Sequence, residues 1–333
     1  MDEGARQALA TIVVVPRERF SFAERSLASL LEHTAPPYEL VYVDGRSPRR
    51  VRRALERAAR VHGFRLMRSH RYLAPNEART LGLAAVETRY AVFVENDVLV
   101  TPGWLDALVR CAEETGAWSV GPLSLEGEEP ERRTVHQAGA FVEITHENGR
   151  AIMRERHRCL GARVADVSPF VRERCDLLEY HCMLVRTAEF RAAGVLDRAI
   201  VGTRDHVDAC LTIRAAGGSV VFEPAAVIAF VPPPPLAWTD YPYFLLRWSE
   251  AWTNGTLEHF RRKWQADPQP EHFAFLRAQR RLALEGFAGT LGRILGTTIA
   301  SRIMERVVVP LEVFLNRHLV PRLFDRAARP IAD

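Results

Sequence analysis

Residues 90–98 read Tyr90-Ala91-Val92-Phe93-Val94-Glu95-Asn96-Asp97-Val98. The first five are apolar and rich in β-branched and aromatic side chains, the composition of a buried strand. The next three place two carboxylates around an amide, which is poor core material. A buried strand that delivers carboxylates to its carboxyl end is well placed to hold a cation beside a phosphorylated ligand. An acidic turn after an ordinary strand is the plainer alternative, and the surrounding sequence decides between the two.

Upstream, strand-like and helix-like segments alternate. Residues 10–15 read as a buried strand. Ser21-Phe22-Ala23-Glu24 has the form of a capping box, opening a helix with Leu27, Leu30 and Leu31 on one face. Residues 38–44 form the next strand, and Ser47-Pro48 predicts a helix start with proline at the first helical position. A short strand at 64–67, a helix from Pro75-Asn76 to about Val86, and a helix capped by Thr101-Pro102 complete the first half. This order calls for a doubly wound parallel sheet with ligands outside the carboxyl ends of its strands. Pro16 to Glu18, Asp44 and Glu95 to Asp97 all fall at such ends, so they should gather on one rim. No GxGxxG or GxxxxGK[ST] motif occurs, which weighs against a dinucleotide dehydrogenase and a P-loop NTPase.

The second half is mixed, with strands expected at 118–121, 140–144, 183–185, 219–222 and 226–231 and a helix at 207–216 ending at Gly217-Gly218. Residues 150–173, polar and arginine-rich, read as a long loop. The prolines at 232–235 mark the end of a catalytic domain over 1–235, followed by a helical region over 236–333. That region is aromatic from Trp238 to Trp264, then passes a Pro/Gln linker at 267–271 and ends in an amphipathic helix over 291–324. Its apolar stripe suits packing on its own domain, a homodimer, or peripheral contact with an anionic membrane.

Composition sets the outer limits. The chain has 333 residues, 47% hydrophobic and 26% charged with a net charge of +4, which fits a globular protein of one large or two smaller domains. Lys263 is its single lysine, so its positive charge is arginine, suited to bidentate phosphate contacts. Five scattered cysteines without a CxxC pair argue against a disulfide framework or zinc knuckle and point to a reducing, cytoplasmic setting. The first apolar run stops at Pro16, so neither a signal peptide nor a membrane span is expected at the start.

Several blocks in order now resemble a known family: 11–16, Val41-Tyr-Val-Asp-Gly-Arg-Ser47, Pro75-Asn-Glu-Ala-Arg-Thr-Leu-Gly82, 93–105, His136-Gln-Ala-Gly139, Leu184-Val-Arg186 through Asp197, and Asp205-His-Val-Asp-Ala-Cys-Leu211. Together, over about 10–235, they resemble the family 2 glycosyltransferases of the GT-A fold. The resemblance implies a nucleotide diphosphate sugar donor, a Mg²⁺ or Mn²⁺ ion, and inversion at the anomeric carbon. It implies that Asp44 accepts from the base with Pro16 and Glu18 lining that pocket, and that Asn76 and Arg79 sit near the base, ribose or diphosphate. Glu95-Asn96-Asp97 takes the place of the DxD motif, glutamate replacing the first aspartate; Glu95 would meet the ribose and Asp97 the metal.

Two departures stand out. Where the family has Glu-Asp-x-Asp-Leu before a helix, this chain has Asp205-His206-Val207-Asp208-Ala209, which leaves Asp205 and His206 as candidates for the base and Asp208 as a capping or orienting group. Asp205 as a plain helix N-cap is the structural alternative. Where relatives carry a metal-binding histidine, this chain has Phe230; His181 could supply the ligand instead, and His136 carries the same ambiguity. The acceptor could be a glycan, a lipid-linked group or a small molecule, contacted from 150–173 and 238–264. A non-catalytic nucleotide-sugar binder, a nucleotidyltransferase and an arginine-rich nucleic-acid binder are the competing readings. The first keeps its force from the two departures. The second lacks a Gly-rich loop after the first strand, and the third lacks aromatic residues among the arginines of 46–60, so no nucleic acid is expected.

Overall fold

The computed structural model describes residues 7–167, 169–268, 272–320 and 322. The first half runs β1 (Ala10–Val15), α1 (Ala23–His33), β2 (Glu39–Gly45), α2 (Arg49–His62), β3 (Arg65–Ser69), α3 (Pro75–Leu83) and β4 (Tyr90–Glu95). A short β5 (Val98–Val100) and α4 (Trp104–Thr115) follow. The second half holds β6 (Ser119–Glu126), β7 (Thr134–Gln137), β8 (Ala140–Glu147), β9 (Arg150–His157), β10 (Glu173–Cys175), β11 (Cys182–Arg186), α5 (Thr187–Ala192), α6 (Asp205–Ala215) and β12 (Val220–Phe230). The helices α7 (Tyr241–Arg247), α8 (Glu250–Trp264), α9 (His272–Leu295), α10 (Thr297–Ile303) and α11 (Val309–His318) complete the chain.

The main sheet has the order β10-β12-β6-β11-β4-β1-β2-β3. β1 pairs in parallel with both β2 and β4, so the carboxyl ends of these strands share one edge. Between β1 and β4 the winding reverses, which opens the crevice where such sheets bind ligands. Beyond β4 the antiparallel β11 turns the sheet mixed. Every residue of β1 and β4 is buried, which accounts for their unbroken apolar runs. Helix α3 lies close on β1: a Cβ on Gly82 would fall 2.2 Å from a methyl of Val13, so only glycine permits this approach.

Four local expectations are corrected. Residues 150–157 are not loop but strand β9, paired with β8 across a hairpin whose turn residues Asn148 and Gly149 both have positive φ. The capping box at Ser21 does not form; the backbone N–H groups of Phe20 and Ser21 donate instead to Asp240, which binds the start of α1 to the C-terminal segment. Asp205 is not an N-cap but the first residue of α6, preceded by Arg204 with φ of 61°. The amphipathic run over 291–324 is not one helix, because Gly296 at φ 81° and a π-helical turn at Met304–Val308 divide it; Phe324 lies outside the described residues.

The segment after the prolines packs closely on the sheet. Tyr243, Leu246 and Trp252 join the same core as Val14, Val92 and Val94. The Tyr243 hydroxyl donates to the carbonyl of Leu73 at 3.1 Å, and Arg19 donates to those of Val231 and Pro235 at 2.6 and 2.9 Å. The rings of this segment are therefore largely core, with Trp238 exposed at 89%. Among the described residues no helix is long and apolar enough to cross a membrane, and all five cysteines are free.

Candidate active site

The loop after β1 and the end of β4 are locked together. Asn96 accepts from the Arg17 backbone N–H at 3.1 Å and donates to the Arg19 carbonyl at 2.9 Å, so its amide ties the two loops and is not directed at a ligand. That bridge holds the Arg17 guanidinium over Glu95 at 2.9 Å, Glu18 at 3.3 Å and the face of Phe230 at 4.4 Å. Burial would raise the Glu95 carboxyl, but Arg17, His181 and Arg79 outweigh it and hold the group well below the usual range. Asp97 is the opposite case. It is fully buried, and neither carboxylate oxygen has a hydrogen-bond partner. Burial, against the pull of Arg17 and with Glu95 and Glu18 adding to it, pushes its carboxyl up to about 7. A buried carboxylate without a hydrogen-bond partner is a group that a bound cation would satisfy. Glu95, Asp97 and His181 offer one ligand atom each within 4.8 Å of one another, so the residues present fit a divalent ion.

Helix α3 supplies the link to the second carboxylate group. Arg79, wholly buried, donates to Glu95 Oε1 at 2.9 Å and to Asp205 Oδ2 at 2.5 Å, with Tyr180 under its plane at 3.6 Å. Asn76 accepts from Arg79 at 3.1 Å and donates to the Asp197 carbonyl at 2.9 Å, fixing the guanidinium from behind. Burial would raise the Asp205 carboxyl, yet Arg79 beside it keeps the group well below its ordinary range. His206 Nδ1 stands 3.8 Å from Asp205, and its Nε2 meets Glu155 of β9 at 3.0 Å. Asp208 takes another direction: it accepts from Lys263 at 2.9 Å and Trp264 at 2.7 Å and fastens α6 to α8.

A row of imidazoles continues from there. His181, just before β11, stacks on Phe230 with ring centroids 4.0 Å apart. The ring at 230 therefore buttresses the histidine that stands nearest the acidic pair. His181 Nδ1 lies 3.0 Å from Glu95, while its Nε2 lies 2.9 Å from Glu179 and 3.1 Å from His136 Nε2. His136 also meets Glu179 through Nε2 at 2.9 Å and Glu126 through Nδ1 at 3.0 Å. Burial alone would lower the His136 imidazolium; Glu179 and Glu126 reverse this and raise it to about 9. Arg17, Glu95, His136, Glu179, His181, Asp205 and His206 all line one cavity of about 440 Å³, with Trp248 and Phe275 on its far wall.

Asp44 ends β2 with its carboxylate turned to Ser47, accepting from the backbone N–H at 2.8 Å and the hydroxyl at 3.0 Å, and is paired with Arg68. Beside it a second hollow of about 530 Å³ is walled by Arg46, Ser47, Arg49, Arg68 and Tyr72. Pro16 and Glu18 belong to the loop between these two spaces; Pro16 touches Gly45 so closely that a Cβ there would sit 3.0 Å from its ring. Glu155, which lines the large cavity, and Glu126, which meets His136 beside it, escaped the reading of the sequence. Their neighbours in sequence carry no motif; the pairing of β6 with β7 brings Glu126 to the crevice, and that of β8 with β9 brings Glu155.

The chain is similar to known glycosyltransferases. The sequence model of Glycosyl transferase family 2 matches residues 11–172. Curated relatives include the pre-mycofactocin glycosyltransferase of Mycobacterium tuberculosis, strains CDC 1551 / Oshkosh and ATCC 25618 / H37Rv. Each is 29% identical over 158 residues, covering 46% of this chain and 29% of the relative. The aligned part of the chain thus spans under a third of the length of those relatives. Among solved structures, that of GalNAc-T7 with UDP, GalNAc and Mn²⁺ superposes with a TM-score of 0.55 at 13% identity, over 88% of this chain and 58% of the other. Residues 11–172, just under half of the chain, thus match the model of Glycosyl transferase family 2, and the sheet that carries them has the GT-A-like fold of the structure it superposes on.

Proposed function

We propose that the chain transfers a sugar with inversion from a nucleotide diphosphate donor to an acceptor hydroxyl, with Asp205 as general base. The observation that carries this is the Arg79 bridge. One buried guanidinium spans Glu95 Oε1 and Asp205 Oδ2, so the carboxylates at the end of β4 and the start of α6 face one cavity in fixed relation.

In this reading the diphosphate lies across the β1–β4 crevice and the base of the nucleotide reaches towards Asp44. Asp97 and Glu95 would hold Mg²⁺ or Mn²⁺, with His181 fixing Glu95 through Nδ1, and the ion when bound would offset the charge that develops on the leaving diphosphate. Arg17 adds a fixed positive charge on the same side. The acceptor enters through the cavity of His136, His206 and Trp248. Its oxygen gives its proton to Asp205 as it bonds to the anomeric carbon, and the bond from that carbon to the phosphate oxygen breaks with its electron pair passing to the diphosphate. Attack from the face opposite the leaving group inverts the centre. Arg79 fixes the Asp205 carboxylate in place and ionised, and His206 orients the acceptor with Glu155 behind it.

UDP and pre-mycofactocin are the first donor base and acceptor to screen, since similar proteins are described with them. A cytoplasmic setting goes with such a donor. The exposed Ile299, Val307 and Phe314 would then serve peripheral membrane contact or a homodimer interface. The test is nucleotide diphosphate release from a panel of donor sugars, with the product anomer read by NMR. Release that is lost in Asp205→Asn but retained in His206→Gln, with an inverted product, supports the assignment. Donor binding without turnover for any acceptor would mark a nucleotide-sugar binder instead.

A further inference from the structure

The donor ion accounts for Asp97 and Glu95 but leaves the other half of the histidine row unexplained. His136 Nε2, His181 Nε2 and Glu179 Oε2 converge, at mutual separations of 2.9, 2.9 and 3.1 Å. The opposite nitrogen of each ring is already engaged with a carboxylate, His136 Nδ1 with Glu126 at 3.0 Å and His181 Nδ1 with Glu95 at 3.0 Å. Each ring that donates from Nδ1 turns an Nε2 lone pair inward. Three electron-rich atoms so close repel one another unless a proton or a metal ion lies among them. Two imidazoles backed by carboxylates, a third carboxylate ligand and an open side are the make-up of a three-ligand zinc centre, in which the outer carboxylates fix the tautomers. The open side here is the 440 Å³ cavity.

Charge points the same way. Glu95, Glu126 and Glu179 surround two imidazoles, and Arg17, itself paired with Glu18 and Glu95, brings a positive charge among them, with Nη1 2.6 Å from His181 Nε2. The cage thus already attracts a positive group, and a divalent ion with a stronger preference for nitrogen would displace it into the adjoining cavity. The ligands sit on firm supports. His136 is on β7, which pairs with β6, and the N–H of Glu179 donates to Gln137 Oε1 at 2.8 Å, tying the two ligand segments together.

We propose that His136, His181 and Glu179 form a second metal site, for a borderline divalent ion of the zinc class, separate from the donor ion at Asp97. His181 faces both sites, presenting Nε2 to the zinc and Nδ1 to Glu95. A metal there would face the acceptor side of the cavity, with its free position open to water or to an acceptor oxygen.

The test titrates the full chain, stripped with chelator and free of nucleotide, with Zn²⁺ against a chromophoric competitor. It is repeated for His136→Ala, Glu126→Gln and Asp97→Asn, with circular dichroism checking each fold. One zinc per chain is expected. Affinity should fall by at least about 100-fold in His136→Ala and about 10-fold in Glu126→Gln, as for loss of a ligand and of an outer carboxylate. It should stay within a few-fold in Asp97→Asn. X-ray absorption should show two imidazole nitrogens at about 2.0–2.1 Å. No stoichiometric zinc, or zinc lost with Asp97→Asn and kept in His136→Ala, overturns the proposal. Because no nucleotide is present, that failure is distinct from failure of the glycosyl-transfer reading, which Mn²⁺-dependent nucleotide binding measures on its own.

Discussion

Replacing Arg79 by methionine isolates the contact that joins the two ends of the site. The change keeps the length and packing of the side chain but removes the charge. Glu95 would retain Arg17 at 2.9 Å and His181 at 3.0 Å, whereas Asp205, with its side chain 10% exposed, would lose its only guanidinium partner at hydrogen-bond distance among the described residues. Breaking a buried pair by removing one member costs about 3–5 kcal/mol, chiefly because the other charge is left unpaired. With an unfolding entropy of about 2.1 cal/mol/K per residue over 333 residues, that corresponds to a fall in Tm of about 4–7 °C. The loss should depend on pH in a definite direction. Arg79 depresses the Asp205 carboxyl from its ordinary value of 3.8, so the pair's contribution is full above that value and fades as pH falls below it towards the folded value. The gap between wild type and Arg79→Met is therefore greatest near pH 7 and narrows below about pH 4. Scanning calorimetry at pH 7 and 3.5, with Asp205→Asn and the double variant closing a cycle, measures this. The double variant should be less destabilised than the sum of the singles by about 1–3 kcal/mol. A drop in Tm under about 1 °C at pH 7, or a gap unchanged at pH 3.5, refutes the reasoning.

Three further outcomes are expected. Asp208→Asn, which weakens the hold of α6 on Lys263 and Trp264, should cost about 1.5–3 kcal/mol in a thermal melt while kcat/KM changes by no more than a few-fold. Gly82→Ala should cost about 1–3 kcal/mol in a denaturant titration, since the added Cβ would fall 2.2 Å from Val13 Cγ1. Asp97→Asn should stabilise the metal-free protein at pH 7. The Asp97 carboxyl is raised from 3.8 to about 7, so the folded state is most favoured below pH 3.8 and loses ground as pH rises to about 7. The variant's advantage should therefore shrink from pH 7 to pH 4 in paired melts.

The parallel half of the sheet was legible because β1, β2 and β4 are buried on both faces and so are written as apolar runs closed by polar residues. What escaped was set by distant parts of the chain. The strand at Arg150–His157 has one face half-exposed, and its arginines hide the alternation; the Asn148-Gly149 turn was its one clear local sign. The capping box at Ser21 has the right letters, but Asp240, over 200 residues away, outcompetes it for the N–H groups at the start of α1. Asp44, Asn76, Arg79, Glu95, Asp97, Asp205 and His181 were named from their positions in the sequence. Their division into an Asp44 end paired with Arg68, an ion-paired bridge and a histidine row follows from side-chain directions that spacing does not encode. Arg17 shows the limit most plainly: nothing in Val15-Pro16-Arg17-Glu18 says that its guanidinium lies over Glu95 and Phe230.

The central claim is that the β1–β4 crevice binds a nucleotide diphosphate through an ion at Asp97. Calorimetric titration of UDP, GDP and dTDP, each with and without Mn²⁺, into wild type and Asp97→Ala tests it directly. The account predicts micromolar binding of one nucleotide that requires Mn²⁺ and disappears in the variant. Absence of binding for all three nucleotides, or binding equally tight without the metal and in Asp97→Ala, would contradict it.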